Sequence, residues 1–235
     1  MEVLYGRDLL TLLDLTPEEI TYLIDMGIKF KNNNVDLPRV SAKLSNKKVL
    51  LLFEKPSTRT RLSLEVATSD LGATPIYVSA LTTQLARGEP IEDFARVVDR
   101  YVDMIVARVY KHETLESMAR YARAPVVNAL SDKYHPLQAL ADYMTIKEKF
   151  GDLSGDIKVA FVGDVDNNVA RSLAIGGLKL GLEVRLIGPK EYWPGREFIE
   201  ILNNLAKESG GKFLLTDDPK KGLEGVNVIY TDVWV

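Results

Sequence analysis

The apolar residues of this chain change their period again and again along its length. From residue 48 onward, short continuous apolar runs alternate with stretches where apolar positions recur every three or four residues. A run such as Lys48-Val49-Leu50-Leu51-Leu52-Phe53 reads as a strand covered on both faces, and the longer period reads as a helix with one covered side. Strand-then-helix repetition restricts the chain to parallel sheets with helices packed on them, because parallel neighbours need a crossover. Strands are expected at 48–53, 76–78, 104–109 and 125–130. Helices are expected at 58–71, 90–101 (with Pro90 in the first turn) and 113–121. A long helix is expected over 135–150, with Leu137, Leu140, Ala141, Met144 and Ile146 near helical spacing and Gly151 as its C-cap.

The polar segment Asp152-Leu153-Ser154-Gly155-Asp156 marks a domain boundary, after which the alternation restarts. Strands follow at 157–162, 183–187, 212–215 and 226–235, and helices at 168–180, 195–209 and 219–223. The expected fold is therefore α/β: two Rossmann-like parallel-sheet domains, residues 1–150 and 151–235, joined by a long helix. The second ends on a strand with no helix after it and reads as incomplete.

Composition narrows the chemistry. With 235 residues, 46% of them hydrophobic, the chain can bury large cores and is not intrinsically disordered. Thirty basic against 33 acidic side chains leave a formal charge of −3, which argues against bulk nucleic-acid binding. No cysteine is present, which excludes a disulfide framework and a thiolate zinc site, and two histidines (His112, His135) leave little for a histidine-based metal centre. No apolar run approaches the ~20 residues of a membrane span. The first residues, MEVLYGRDLL, lack a basic region ahead of an apolar stretch, so no signal peptide is expected and the cytoplasm is the expected compartment.

Several segments carry chemistry. Glu54-Lys55-Pro56-Ser57-Thr58-Arg59-Thr60-Arg61 follows a buried strand and opens a helix. Free backbone N–H groups, hydroxyls and guanidiniums converge there as an anion site, although an N-cap with surface arginines would read the same way. His135-Pro136-Leu137-Gln138 opens the long helix, with His135 and Gln138 three apart on one side and able to donate to a carbonyl oxygen. Arg108 ends a strand and Asp232 lies near the end of the last one, both at crevice positions of an open sheet. Gly163-Asp164-Val165-Asp166-Asn167-Asn168 occupies a phosphate-loop position without the loop's glycines. Its acids and amides suit an ammonium group, or simply cap the next helix. Gln84-Leu85-Ala86-Arg87-Gly88-Glu89-Pro90 is a polar loop ahead of a helix.

In this order, STRTR, Q-x-x-R-G-E-P, a strand ending in Arg, HPLQALAD, D-x-N-N and TDVWV, the set resembles the aspartate/ornithine carbamoyltransferase family over essentially the whole chain. FEKPSTRTR, RGEPI, Asn167-Asn168 and TDVWV resemble its ornithine branch, and Asp232 stands where the aspartate branch carries a basic segment. The resemblance implies transfer of a carbamoyl group from carbamoyl phosphate to the δ-amine of ornithine, giving citrulline and phosphate without a cofactor or metal. Aspartate, N-acetylated ornithine, putrescine or lysine remain open as acceptors, as does a non-catalytic carbamoyl phosphate-binding role.

By resemblance, Ser57, Thr58, Arg59 and Thr60 hold the phosphate, and Arg108 bridges phosphate and carbonyl oxygen. His135 and Gln138 contact the carbamoyl group. Gln84 enters a neighbouring subunit's site in a homotrimer or a multiple of trimers, and Asn168 and Asp232 grip the α-carboxylate and α-ammonium of ornithine. Leu137 and the lengthened Asp164–Asn168 turn depart from the family pattern. Its Ser-Met-Gly loop, its His-Cys-Leu-Pro segment and its C-terminal helix do not occur in these 235 residues. The resemblance thus implies a missing C-terminal segment and leaves open whether the chain as given is active.

Overall fold

The computed structural model describes residues 4–232. In chain order, a 3₁₀ turn (Leu12–Asp14) precedes α1 (Pro17–Lys31), α2 (Leu37–Leu44), β1 (Lys48–Phe53), α3 (Thr58–Asp70) and β2 (Thr74–Ser79). Two 3₁₀ turns (Ala80–Thr82, Gln84–Arg87) lead to α4 (Ile91–Val98), β3 (Met104–Arg108), α5 (His112–Tyr121) and β4 (Val126–Leu130). Then come α6 (Pro136–Phe150), β5 (Lys158–Val162), α7 (Asn168–Lys179), β6 (Glu183–Ile187) and a 3₁₀ turn (Lys190–Tyr192). The order closes with α8 (Arg196–Ser209), β7 (Lys212–Thr216), α9 (Pro219–Leu223) and β8 (Val228–Tyr230).

The chain forms two compact units. One holds the residues up to Leu10 together with Asn34–Lys133; the other holds Thr11–Asn33 and the chain from Tyr134 onward. In the first, four parallel strands run in the order β2-β1-β3-β4. Leu50, Leu52, Ile105, Ala107, Leu115, Met118 and Val126 form its core. Each carries apolar surface whose removal from water contributes about 25 cal/mol per Å². Leu9 adds a parallel bridge beside Val127 at the edge of β4.

The second unit has four parallel strands in the order β7-β6-β5-β8. Val159, Phe161, Leu173, Val184 and Leu186 are buried there. Tyr143 of α6 is fully buried and donates its hydroxyl to the Leu173 carbonyl of α7 at 2.6 Å. Gly176 and Gly177 make room for that ring: a Cβ at Gly176 would lie 2.8 Å from Tyr143 Cε2.

The α/β architecture with two parallel sheets is as expected, and several details differ. Pro90 is the N-cap of α4 rather than a first-turn residue, and the helix stops at Val98, after which Arg100 and Tyr101 bond in tighter turns to Val97 and Val98, while the Asp99 side chain accepts from the Arg123 and Ala124 amides. The covered side of α6 is Pro136, Ala139, Tyr143 and Ile146. Of the apolar positions picked from spacing only Ile146 belongs to it, since Leu137, Leu140 and Met144 are half-buried and Ala141 is exposed. The last strand covers only Val228–Tyr230. Thr231 and Asp232 follow it outside a strand, and the expected continuation through 233–235 lies outside the described residues. Before residue 48, where the alternation gave no element, the chain builds α1 and α2.

Candidate functional site

Each sheet changes direction once. In the first unit β2 lies on one side of β1 and β3 on the other; in the second β6 and β7 extend from β5 and β8 returns on its far side. Ligands of open α/β sheets bind beyond the carboxyl ends of strands at such switch points. Phe53 and Arg108 are register partners at the ends of β1 and β3, and the Glu54 N–H donates to the Arg108 carbonyl at 2.9 Å. The Ser57–Arg61 segment therefore leaves the sheet beside Arg108.

Ser57 is the N-cap of α3, yet its side chain makes no capping bond. Its hydroxyl donates instead to Thr60 Oγ1 at 2.9 Å, and Arg108 Nη1 donates to that same oxygen at 3.4 Å. The Arg108 Nε is buried without a hydrogen-bond partner. Burial lowers the Arg108 pKa, and the neighbouring Arg59 lowers it further. Lys55 is lowered in the same way, by burial and then by Arg108. Cations held together at a helix N-terminus, one with an unused buried donor, suit an oxyanion with several oxygens. Arg61 has a different duty: its guanidinium stacks 3.6 Å above the Tyr77 ring and pairs with Glu65 at 3.1 Å. Gln84 is exposed on the 3₁₀ turn after β2, closed by Gly88 in the left-handed conformation, and no hydrogen bond among the described residues joins its side chain to Ser57, Thr60 or Arg108.

The second unit carries the other group. His135 is the N-cap of α6, and its backbone N–H donates to Ser172 Oγ at 2.7 Å. Ser172 Oγ donates in turn to the Asn168 carbonyl at 2.8 Å, which ties the start of α6 to the first turn of α7. Gln138 Nε2 donates to Asp142 Oδ1 at 2.9 Å. Burial lifts the Asp142 pKa to about 6, against the Gln138 hydrogen bond and the nearby Tyr230 hydroxyl, which lower it, and with the Asp232 charge adding to the rise.

The Asp164–Asn168 turn resolves into separate roles. Asn167 caps α7, accepting from the Val169 and Ala170 amides at 2.9 Å each, and its Nδ2 donates to the Asp164 carbonyl. Asp166 pairs with Arg171 at 2.6 Å, and the Asp164 carboxylate accepts from the Asp166 amide. Three of the four polar side chains expected to meet an ammonium, those of Asp164, Asp166 and Asn167, thus have partners in the turn and the start of α7. Asn168 begins the helix itself, and Asp232 is exposed two residues past β8.

Thr58 and Arg59 are exposed on the first turn of α3. Sequence reasoning gave no individual role to Lys55 or Asp142, which it quoted only within the motifs at 54–61 and 135–142, and did not mark Tyr230. The Gln138–Asp142 pair was visible as an i, i+4 spacing, but the burial that gives it weight was not. Among the described residues, no group of three or more His, Asp or Glu side chains is placed to hold a metal ion.

Residues 7–148 match the family model described as the aspartate/ornithine carbamoyltransferase carbamoyl-P binding domain. Residues 155–235 match the model for the Asp/Orn binding domain of the same family. The chain is 51% identical over 232 residues to an ornithine carbamoyltransferase of Hyperthermus butylicus, covering 99% of this chain and 74% of that protein. The solved ornithine carbamoyltransferase from Pyrococcus furiosus superposes with a TM-score of 0.92 at 50% identity, covering 99% of this chain and 73% of that one. The catalytic subunit of M. jannaschii aspartate transcarbamoylase gives a TM-score of 0.79 at 30% identity, covering 96% of this chain and 73% of that chain.

Proposed function

The chain belongs to the aspartate/ornithine carbamoyltransferase family, and from that premise we propose that it transfers the carbamoyl group of carbamoyl phosphate to the δ-amine of L-ornithine, giving L-citrulline and phosphate. The observation that carries the choice of acceptor is identity: about half the residues are shared with ornithine carbamoyltransferases over nearly the whole chain, against 30% with the aspartate enzyme's catalytic subunit. Residues 1–150 are assigned to carbamoyl phosphate and residues 151–235 to ornithine.

The uncharged δ-nitrogen attacks the carbamoyl carbon. A C–N bond forms, the carbon–oxygen bond to phosphate breaks with its electron pair leaving on phosphate, and the nitrogen gives up a proton. Ser57, Thr58, Arg59 and Thr60 hold the phosphate as its charge grows. Arg108 and His135 stabilise the developing charge on the carbonyl oxygen, an oxyanion-type role. Gln138 contacts the carbamoyl group, and Asn168 and Asp232 the amino-acid end of ornithine. Alignment of two small reactants supplies much of the remaining acceleration. The Arg108 Nε, buried without a partner beside two hydroxyls, supports the phosphate assignment.

A homotrimer or a multiple of trimers is part of this reading, with Gln84 reaching a neighbouring subunit. Its support is an unusual helix: α3 buries none of its 13 residues, and Leu62 and Val66 on it are 55% exposed. Apolar side chains grouped on an exposed helix mark an interaction surface. No helix among the described residues is long and apolar enough to cross a membrane, and we place the protein in the cytoplasm, in arginine metabolism.

The test is a carbamoyl transfer assay with carbamoyl phosphate and, in parallel, ornithine or aspartate. Citrulline from ornithine alone is the expected result. Carbamoyl-aspartate, or carbamoyl phosphate binding without transfer to either acceptor, would overturn it.

A further inference from the structure

Asp142 lies one helical turn beyond Gln138 on α6, and its carboxylate accepts the Gln138 Nε2 hydrogen at 2.9 Å. An ionised carboxylate can only accept, so this bond decides which end of the Gln138 amide points which way. The NH₂ end is turned to Asp142, and the carbonyl end, Oε1, is left to the ligand. The other carboxylate oxygen, Oδ2, is buried without a hydrogen-bond partner near the Tyr230 phenol, which burial and Asp142 push up so that it stays neutral, and the carboxylate feels the charge of Asp232. Keeping a carboxylate in so buried a place opposes its ionisation. Packing alone does not explain an acid there.

We propose that Asp142 is a positioning residue that orients Gln138 Oε1 toward an N–H of the carbamoyl group, so that the protein selects a carbamoyl donor over an acyl phosphate lacking that N–H. This rests on the functional reading above. The selectivity follows from an asymmetry: a buried acceptor satisfied by the carbamoyl NH₂ is left unpaired by the methyl group of acetyl phosphate. When Asp142 is protonated it can donate to Oε1, and the amide is free to turn over. The discrimination is then lost while the phosphate contacts remain.

The experiment compares carbamoyl phosphate and acetyl phosphate as ligands of the full-length protein, taking dissociation constants by calorimetry. Asp142→Asn, which both donates and accepts, is expected to weaken carbamoyl phosphate about tenfold and acetyl phosphate less than about twofold, the effect of one hydrogen bond. Equal losses for both ligands, or no loss for either, overturn the proposal. Should the variant not fold, the unmodified protein supplies the second measurement. The ratio of the two constants is expected to shrink about tenfold between pH 8 and pH 5, centred near the value of about 6 held by Asp142. Protonation of the phosphate cancels in that ratio, because both ligands are acyl phosphates. A ratio that does not change with pH overturns the proposal. An unmodified protein that binds no carbamoyl phosphate overturns the functional reading and this inference with it, and is distinct from each result above.

Discussion

The backbone N–H of His135 and the hydroxyl of Ser172 are joined by a 2.7 Å hydrogen bond, and that hydroxyl passes its own hydrogen to the Asn168 carbonyl. One buried serine thus holds the first residue of α6 and the first turn of α7, and two residues assigned to different substrates hang on it. Ser172→Ala leaves the His135 amide without its acceptor, at a cost of about 1–3 kcal/mol. Chemical denaturation is expected to show that loss, and kcat to fall while carbamoyl phosphate affinity changes little. An unchanged midpoint would show that the serine is dispensable to both helices.

Arg108 is expected to dominate the response to anions. Burial and Arg59 both oppose its charge, so inorganic phosphate should raise the melting temperature, by about 2.7 kcal/mol of stabilisation at a hundred times its Kd. Arg108→Ala should abolish most of that rise and lower kcat/KM on the order of 10²–10³-fold, the usual cost of removing an oxyanion donor. A variant that keeps the full phosphate shift would remove Arg108 from the site.

Gly177 lies under the Tyr143 hydroxyl. A Cβ there would overlap that oxygen and come within 2.6 Å of Val184 Cγ2. Both neighbours are buried, so neither can swing clear. Gly177→Ala is expected to destabilise by about 1–3 kcal/mol through overpacking, despite alanine's better helix propensity. Tyr143→Phe in the same background should recover part of the loss, since it removes the clashing oxygen along with its bond to Leu173. Denaturant midpoints of the single and double variants decide the matter.

These residues show what a sequence discloses and what it withholds. The strands were legible because parallel strands covered on both faces become continuous apolar runs, and Lys48–Phe53 and Glu183–Ile187 lie where the pattern put them. Helix α1 was equally writable: Thr16 and Glu19 form a capping box around a first-turn proline, but the alternation of strand and helix had not yet begun there. The covered side of α6 misled because Tyr143, a residue with a polar tip, is its largest fully buried member, with its hydroxyl satisfied by a carbonyl of α7. At the site, Ser57–Thr60 and Arg108 were readable as strand-end residues. That Asn167 would be consumed as a cap and Asp166 by Arg171, leaving Asn168, depends on which way each side chain turns, and composition does not record that.

Ornithine sets the pH dependence of the reaction. Its δ-ammonium resembles that of lysine, with an ordinary pKa near ~10.4, and only the neutral amine can attack. With both substrates saturating, kcat is therefore expected to rise from neutral toward alkaline pH, tracking the fraction of neutral amine. A rate that stays flat over that range would mean that the amine's proton is not lost in the rate-limiting step.

Asp142 has a second consequence, for stability. Its folded pKa of about 6 stands above the ordinary aspartate value of 3.8, so the folded protein holds this proton more tightly than the unfolded chain does. The sign follows: below about pH 4 the group is protonated in both states and contributes nothing; between about 4 and 6 the unfolded chain ionises it while the folded protein keeps its proton, so stability falls across that window and levels off above 6. A difference of about two pKa units corresponds to roughly 2–3 kcal/mol at neutral pH. Asp142→Asn removes that ionisation. The variant is therefore expected to be more stable than the unmodified protein at pH 8, with the advantage shrinking toward pH 4, while it loses the discrimination for carbamoyl phosphate. Urea midpoints of the two proteins at pH 4, 6 and 8 measure the difference. A gap that does not depend on pH would mean that Asp142 carries no raised pKa, and that the carboxylate is tolerated at no cost to the fold.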